Sequence, residues 1–559
     1  FDEEWQVGGI AVSILDLESR SILERIVLRA REVAEDGARK ALQIIGIDSE
    51  EQSRKNSAEA ANLRRKLKVV MRRLGGYREL AEACAYWYWH RMLFARFLAE
   101  NGLLIHPDYK APVTLDECAE IAHSEGDLDR WGIAARFASD MLPGIFPKED
   151  PLMQVRFTAE DRVDLERLLE ELPPSVFTSS DGLGWTYQFW QKNRKSEVRS
   201  SGLPAEGADI AAVTQLFTEP YMVQFLLQNT LGAWWINLYP ESPLEKKWAY
   251  YKSQVQHDFS AWPKSASEVK IIDPCCGSGH FLVEAFEMLL AMRLEEGQSL
   301  EEAIAGILTD NLYGLELDAR CVQIAAFSLA LTAWKCGYPT DRDLPIPNVA
   351  CSGLPMDAEV QQWRVLASGD SLLADALVEL HGVFSDANNL GSLIDPRRAR
   401  LRNAFEVSED ELMLRVEQAL EQENNVGDPV TRLFGEFAKG ALRAFSILKG
   451  EYHLAITNPP YLLRGKQGKV LRKYCGPHFP DATKDLATCF ISRCRAFMVD
   501  GGCYALAGPQ NWLFLKSDKA LRSRMLKEQT WLFVARVGSR GFSTISGELV
   551  RVVLQAFIN

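Results

Sequence analysis

The segment Lys270-Ile271-Ile272-Asp273-Pro274-Cys275-Cys276-Gly277-Ser278-Gly279-His280-Phe281-Leu282 restricts the fold of this 559-residue chain more than any other. An apolar run ends in Asp-Pro, turns through small residues and enters an apolar helical pattern. Gly277 and Gly279 permit positive φ and let a ligand approach the backbone closely. The following helix aims its N-terminus at that ligand. The turn lacks the Lys of the phosphate-binding GxxxxGK[ST] pattern, and it is not GxGxxG. An Asp at the strand end suits a ligand with a cationic amino group better than a pyrophosphate.

Two further strand ends carry polar residues. Asn311-Leu312-Tyr313-Gly314-Leu315-Glu316-Leu317-Asp318 places Glu316 where an acid accepts hydrogen bonds from ribose hydroxyls. Asp273 and Glu316 are 43 residues apart, about twice the usual dinucleotide spacing of roughly 20. A longer first crossover through 295–305 accounts for the difference. Ala455-Ile456-Thr457-Asn458-Pro459-Pro460-Tyr461 is the third. Pro-Pro after a strand stops the ladder and fixes a rigid corner, with Asn and Tyr at its edges.

From about residue 210, short apolar runs at 269–272, 311–315, 454–457, 503–507, 531–537 and 550–557 alternate with helical stretches. That pattern predicts a mostly parallel sheet covered by helices. Residues 373–450 read as a helical insertion, since a structureless loop of that length does not suit a compact domain. Residues 1–178 read as a helical N-terminal domain, with three-and-four apolar spacing in 21–41 and 77–101. The stretch ACAYWYWHRMLFARFLAENGLL is too apolar for a surface helix and is expected at the domain's centre. NLRRKLKVVMRR at 62–73 is a basic amphipathic stretch, either a solvated face or a DNA contact. Polar and Gly-rich residues around 179–184 and 197–207 mark a boundary, so 179–235 is expected to be a linker plus one helix and 236–559 the α/β domain.

Composition excludes some classes. With 47% apolar residues, the chain can bury a core and is not disordered. No run approaches the roughly 18 uninterrupted apolar residues of a membrane-spanning helix, so no membrane partner is expected. Eleven cysteines without a CxxC pair or zinc-spaced His point to reduced cytoplasmic thiols and no metal. Net charge is −13, so a nucleic-acid partner needs local basic patches. Arg464, Lys466, Lys469, Arg472 and Lys473 form one directly after the Pro-Pro corner, and Arg397, Arg398, Arg400 and Arg402 form another. Either is a solvated face or a phosphate contact.

Taken together, the three strand-end motifs resemble those of S-adenosylmethionine-dependent adenine-N6 methyltransferases. DPCCGSGHFL looks like their cofactor motif I, YGLELD like motif II and NPPY like catalytic motif IV. TQLFTEPY at 214–221 looks like motif X ahead of motif I, and GGCYALAGPQNWL at 501–513 like motif VI. The resemblance covers about 205–559 and is strongest to the large PglX-type enzymes of BREX phage-defence systems and their DISARM relatives, with type IIG-like methylases more distant. VTQLFTEPYMVQFLLQNTLGAWW, IPNVACSGLP and GELVRVVLQAF support the closer match. It implies a Rossmann-like class I methyltransferase domain after the helical N-terminal domain.

The resemblance also implies roles. S-adenosylmethionine is expected against Asp273, Pro274 and the Gly277–Gly279 turn, with Glu316 on the ribose and Thr218 and Pro220 near the methionine end. Phe281 packs either the cofactor's adenine or the core. The Asn458 side-chain oxygen and the Pro459 carbonyl would accept the two amine hydrogens of a flipped adenine. Pro460 would hold the corner and Tyr461 would stack on the base. Phe542 is a second stacking residue or a core Phe. Motif III is open between 347–353, which ends without an acid, and Gly369-Asp370-Ser371-Leu372-Leu373. No nuclease pattern is present in the N-terminal domain. The implied partners are double-stranded DNA and other phage-defence proteins. A protein-glutamine or RNA methyltransferase, or a cofactor-dependent DNA-recognition subunit without catalysis, are the alternatives.

The chain starts at Phe1 and closes on an apolar run, which reads as a segment of a longer protein whose target-recognition domain lies outside it. The expectation is that this segment binds cofactor but methylates DNA poorly or without sequence choice. Methylation mapping by sequencing, with this segment and with a longer form, checks it. Methylation of one defined motif by the segment alone would overturn it.

Overall fold

A computed structural model describes residues 6–7, 10–11, 14–47, 58–126, 129–143, 145–146, 150–253, 258–354, 364, 367, 370–398, 409–424, 429–538 and 551–559. The chain divides into two compact units. The first contains Phe1–Lys192, Trp334–Leu344 and Gln418–Glu436, and the second contains Asn193–Ala333, Pro345–Glu417 and Phe437–Asn559.

The first unit is helical. Helix α1 (Leu17–Ile45) starts where the Asp16 carboxylate accepts the Ser19 amide and stops at Gly46, whose φ is 76°. These are the side-chain cap and left-handed terminator that helix ends require. Its buried stripe runs Leu23, Ile26, Val27, Ala30, Ala34, Ala38 and Leu42. Helix α2 (Ala58–Leu74) holds the basic stretch, with Leu67 and Val70 buried. Helix α3 (Tyr77–Glu100) buries nearly its entire second half, as its apolar density predicts. Its aromatic run is core packing: Tyr86 stacks on His90 at 3.6 Å, and both meet Trp190 edge-on.

Residues 179–184 behave differently from the expected linker. They open helix α4 (Gly182–Trp190), whose Trp185, Tyr187 and Trp190 are buried. Buried Asp181 accepts the Leu15 amide at 3.0 Å and the Trp185 indole at 2.8 Å, and pairs with Arg20. A Cβ at Gly182 would stand 2.1 Å from the Val176 carbonyl. The small residues here answer close packing at a helix start, which composition does not separate from a loop.

The second unit is built on a seven-stranded sheet. Its strands are β1 (Ile271–Asp273), β2 (Leu312–Glu316), β3 (Asn348–Cys351), β4 (Tyr452–Thr457), β5 (Met498–Pro509), β6 (Thr530–Arg536) and β7 (Val552–Ile558). The spatial order is β3-β2-β1-β4-β5-β7-β6. The first five are mutually parallel, and β7 runs antiparallel between β5 and β6. This is the Rossmann-like arrangement of class I methyltransferases with its reversed seventh strand. Burial of all seven β7 residues follows from its place between two neighbours. The crossover from β1 to β2 holds helix α5 (His280–Glu295), a second helix Leu300–Gly306 and a π-turn Ile307–Asn311. It supplies the extra length between Asp273 and Glu316.

Strand β3 pairs in parallel with β2, so of the two candidate motif III segments 347–353 is the one that carries a strand. Asp370 instead caps helix α6 (Ser371–Phe384) through the Leu373 amide and pairs with Arg415 at 2.5 Å. The insertion is helical, as expected, with α6, Ala387–Leu390, Glu409–Asn424 and Pro429–Lys449. No helix among the described residues is long and apolar enough to cross a membrane.

Arg493 fastens the insertion's 392–395 stretch to the sheet layer. It is 1% exposed and donates to the carbonyls of Ser392 (2.9 Å), Ile394 (2.8 Å) and Leu448 (3.0 Å), with the Asp395 carboxylate at 3.8 Å. Removing the guanidinium strands three buried acceptors and an acid. Arg493→Ala is expected to destabilise the second unit by about 3–5 kcal/mol, read as a lowered urea midpoint. An unchanged midpoint would contradict this role.

Candidate active site

In an open parallel sheet, ligands bind past the carboxyl ends of the strands where the strand order reverses. Here that point lies between β1 and β4. The loop after β1 and the corner after β4 therefore face one cleft, whose walls include Pro274, Gly277, Glu316, Asn458, Pro460 and Tyr461. The structure thus brings motifs I, II and IV together.

Motif I is held from both sides. Gly277 and Gly279 have φ of 53° and 87°, in the region that disfavours side chains. At Gly279 a Cβ would also meet the Ala325 backbone at 3.0 Å. Glu316 braces the loop from β2: one carboxylate oxygen accepts the Gly277 amide at 2.9 Å, and the other accepts those of Leu317 (2.7 Å) and Asp318 (3.2 Å). Burial raises the Glu316 carboxyl above its ordinary range despite those bonds.

Asp273 lies beneath the loop with no exposed surface. Its Oδ1 accepts the Cys275 amide at 3.0 Å, while Oδ2 has no hydrogen-bond partner among the described residues. Burial pushes its carboxyl up to about 7, opposed by the Thr457 hydroxyl and the Cys275 amide and reinforced by Glu316. A buried, incompletely satisfied acid is costly, and such groups concentrate where a ligand completes them.

Motif X reaches both loops. Thr218 is buried, and its hydroxyl accepts from Asn458 Nδ2 at 3.0 Å. Its carbonyl lies 3.0 Å from His280 Nδ1, and that ring stacks on Phe217 with centroids 4.7 Å apart. Burial lowers the His280 pKa to about 4, so the imidazole is neutral. Pro220 occupies the first turn of helix Pro220–Gln228 and sets the chain's direction after Thr218. Phe281 is 3% exposed, which favours the core among its two readings.

At motif IV, Asn458 Oδ1 is buried without a partner among the described residues. Tyr461 donates its hydroxyl to the Ala507 carbonyl on β5 at 2.9 Å, which fixes the ring at the cleft wall. Arg464–Lys466 is a single turn after the corner, and Lys469–His478 is a helix with Lys469, Arg472 and Lys473 exposed. Arg397 and Arg398 are paired with Asp395 at 3.1 and 3.2 Å, which leaves them poorly placed for phosphate. Phe542, Arg400 and Arg402 lie outside the described residues. Sequence reasoning missed Gln215, His280 and the insertion's 389–393 among the residues that build the site. The position of His280 directly after Gly279 was a usable signal, whereas nothing in 389–393 announced a cleft wall.

Comparison with known proteins agrees with this geometry. The family described as Eco57I restriction-modification methylase matches residues 310–541, and that described as MmeI, DNA-methyltransferase domain, matches 251–367. The adenine-specific methyltransferase BrxX of Escherichia coli O9:H4 (strain HS) is 27% identical over 550 residues, 87% of this chain and 45% of that protein. The adenine-specific methyltransferase PglX of Lacticaseibacillus casei (strain Zhang) is 27% identical over 608 residues, 95% of this chain and 49% of that protein. The chain spans about half the length of these curated relatives. By these matches the chain is similar to the PglX-type adenine-specific methyltransferases, and 251–541 is similar to the methylase segments of the MmeI and Eco57I families.

Proposed function

We propose that this chain carries the methyl-transfer site of a site-specific DNA adenine-N6 methyltransferase acting in phage defence, alongside other proteins of such a system. The observation that carries the reading is Asn458: a half-buried amide at the cleft wall, anchored through its nitrogen, with its oxygen left unpaired among the described residues. Adenine's exocyclic amine is a weak nucleophile because its lone pair is delocalised into the ring. Two acceptors, Asn458 Oδ1 and the Pro459 carbonyl, would draw the amine hydrogens out of that plane and orient the lone pair. Pro460 keeps the corner rigid, and Tyr461 offers a ring face to the base. An adenine within a duplex does not reach such a wall, so the base is flipped.

The residues present fit S-adenosylmethionine. Asp273 leaves a buried acceptor for a cationic group, Gly277 and Gly279 allow close approach, and Glu316 stands at the end of β2 for ribose. Pro274, Thr218, Pro220 and Phe281 would surround these contacts. When bound, the cofactor supplies the electrophilic methyl. Double-stranded DNA as the substrate is supported by the names of the matched family segments, and Lys466, Lys469, Arg472 and Lys473 by their exposure beside the catalytic corner.

Asn458→Ala is expected to lower methyl transfer from labelled cofactor to duplex DNA by on the order of a hundredfold or more, with cofactor affinity near normal. Calorimetry and tritium transfer separate the two, and a normal transfer rate would remove Asn458 from the mechanism.

Asp273 gives a pH dependence with a definite sign. A cationic ligand binds its ionised form, and its pKa is raised to about 7. Affinity is therefore full above that value and falls by about tenfold per pH unit below it. Asp273→Asn removes both the charge and the slope. Calorimetry between about pH 6 and 8 checks it, and a flat wild-type profile would overturn the assignment of Asp273 to the cationic group. The same measurement on Glu316→Ala is expected to give weaker binding without loss of the slope.

A further inference from the structure

We infer that Thr218 is a positioning residue that anchors the Asn458 amide by its nitrogen and so leaves the oxygen for the reacting amine. This rests on the reading of Asn458 as the amine's acceptor. A primary amide has two unlike ends, an acceptor oxygen and a donor nitrogen, and they exchange places by half a turn about one side-chain bond. Only one orientation helps. With the oxygen toward the substrate, the amide draws on an amine hydrogen. With the nitrogen there, two donors face each other and the amine is repelled. The two prolines of Asn-Pro-Pro-Tyr contribute no backbone N–H that could fix one end of the amide.

The amide is anchored from motif X. Asn458 Nδ2 donates to Thr218 Oγ1 at 3.0 Å, and the opposite end, Oδ1, is buried and without a partner among the described residues. A buried, bare carbonyl oxygen costs stability unless something completes it. The bond to Thr218 therefore engages the nitrogen and leaves the oxygen as the unsatisfied end of the amide.

Thr218 is itself immobilised. It is 5% exposed, so its side chain is enclosed. Its carbonyl is 3.0 Å from His280 Nδ1. A carbonyl only accepts, so the proton of the neutral imidazole resides on Nδ1. Phe217 stacks on the same ring at an interplanar angle of 5°. Helix Pro220–Gln228 then begins two residues on, with its proline in the first turn. A continuous set of contacts thus runs from the start of α5 through His280 and Thr218 to the amide. Motif X, assigned by resemblance to the methionine end of the cofactor, also orients the acceptor on the substrate side.

The test uses the whole chain and three variants: Thr218→Val, Thr218→Ser and Asn458→Ala. Valine keeps the β-branched shape and removes the hydroxyl, while serine keeps the hydroxyl. Single-turnover transfer is measured at saturating cofactor, so that any change in donor affinity does not enter. Thr218→Val is expected to slow transfer by on the order of tenfold to a hundredfold, and Thr218→Ser to restore most of it. In asparagine-labelled protein, the Asn458 side-chain amide resonances are identified by their loss in Asn458→Ala. They are expected to be inequivalent and slow to exchange in the wild type and in Thr218→Ser, and to sharpen and exchange faster in Thr218→Val. Wild-type transfer by Thr218→Val, equal loss in valine and serine variants, or unchanged Asn458 resonances in Thr218→Val would each overturn the proposal. The resonance measurement decides even on protein that turns over no DNA. Full activity in Asn458→Ala would instead bring down the amine-acceptor reading itself, whereas an inactive Asn458→Ala beside a normal Thr218→Val removes only the positioning role.

Discussion

Glu316 commits both carboxylate oxygens to backbone amides, one across to Gly277 on the neighbouring loop and two within its own turn. The loop after β1 has no side-chain bulk with which to hold its shape, because its glycines are there to leave room. Its conformation is borrowed from β2 through that carboxylate. An acid in this position must be buried, and the three amide hydrogens offset part of the desolvation that burial imposes. Asp273 beneath the loop adds a second acid to the same enclosure, and the Glu316 charge raises its proton affinity further. The enclosure is left short of positive charge. The proposed cationic ligand would supply it, so the feature that shapes the loop would also define what the loop holds.

The same economy extends across the sheet. Because β4 pairs directly with β1, the end of the catalytic strand and the end of the cofactor strand are adjacent. Thr457 is the residue where they meet: its hydroxyl lies beside the Asp273 carboxyl, and Asn458 follows it in the chain. A displacement of either loop would be felt at the other through this contact. The Tyr461 hydroxyl, bonded to the Ala507 carbonyl, carries the constraint one strand further to β5. A rigid acceptor wall assembled on strands, with only short corners projecting, suits a reaction that depends on orientation.

Legibility in the sequence followed how strongly backbone geometry restricts residue choice. Asp273, Gly277, Gly279, Glu316 and the Asn-Pro-Pro-Tyr corner stood out because strand ends, positive φ and ladder termination each tolerate few residue types. The alternating runs gave six of the seven strands, and the long first crossover was expected from spacing. Where one composition serves two geometries, the reading failed. Gly182 looked like linker but allows a helix to start against the Val176 carbonyl. Asp370 looked like a strand-end acid but is a helix cap, and the third strand at 348–351 ends on cysteine with no acid to mark it. The cleft wall at 389–393 and the link between Thr218 and Asn458 are long-range contacts between segments with no shared pattern, and periodicity carries no information about them.

The charge distribution resolves an apparent conflict between a net −13 chain and the polyanionic substrate proposed for it. What matters for phosphate contact is which cations are already engaged, since a paired guanidinium must lose its partner before it gains another. Arg397 and Arg398 share Asp395, and Arg415 bridges Asp370 and Glu411. Among the described residues no ion pair engages Lys466, Lys469, Arg472 or Lys473, which stand exposed on the turn and helix directly after the catalytic corner. Four uncommitted cations within eight residues give a local positive face whose range is about a Debye length, ~8–10 Å at ordinary salt. Acidic residues farther away than that are screened from it. Bulk charge therefore says little about the segment after Tyr461, where four exposed cations stand outside any ion pair among the described residues and suit the proposed phosphate backbone.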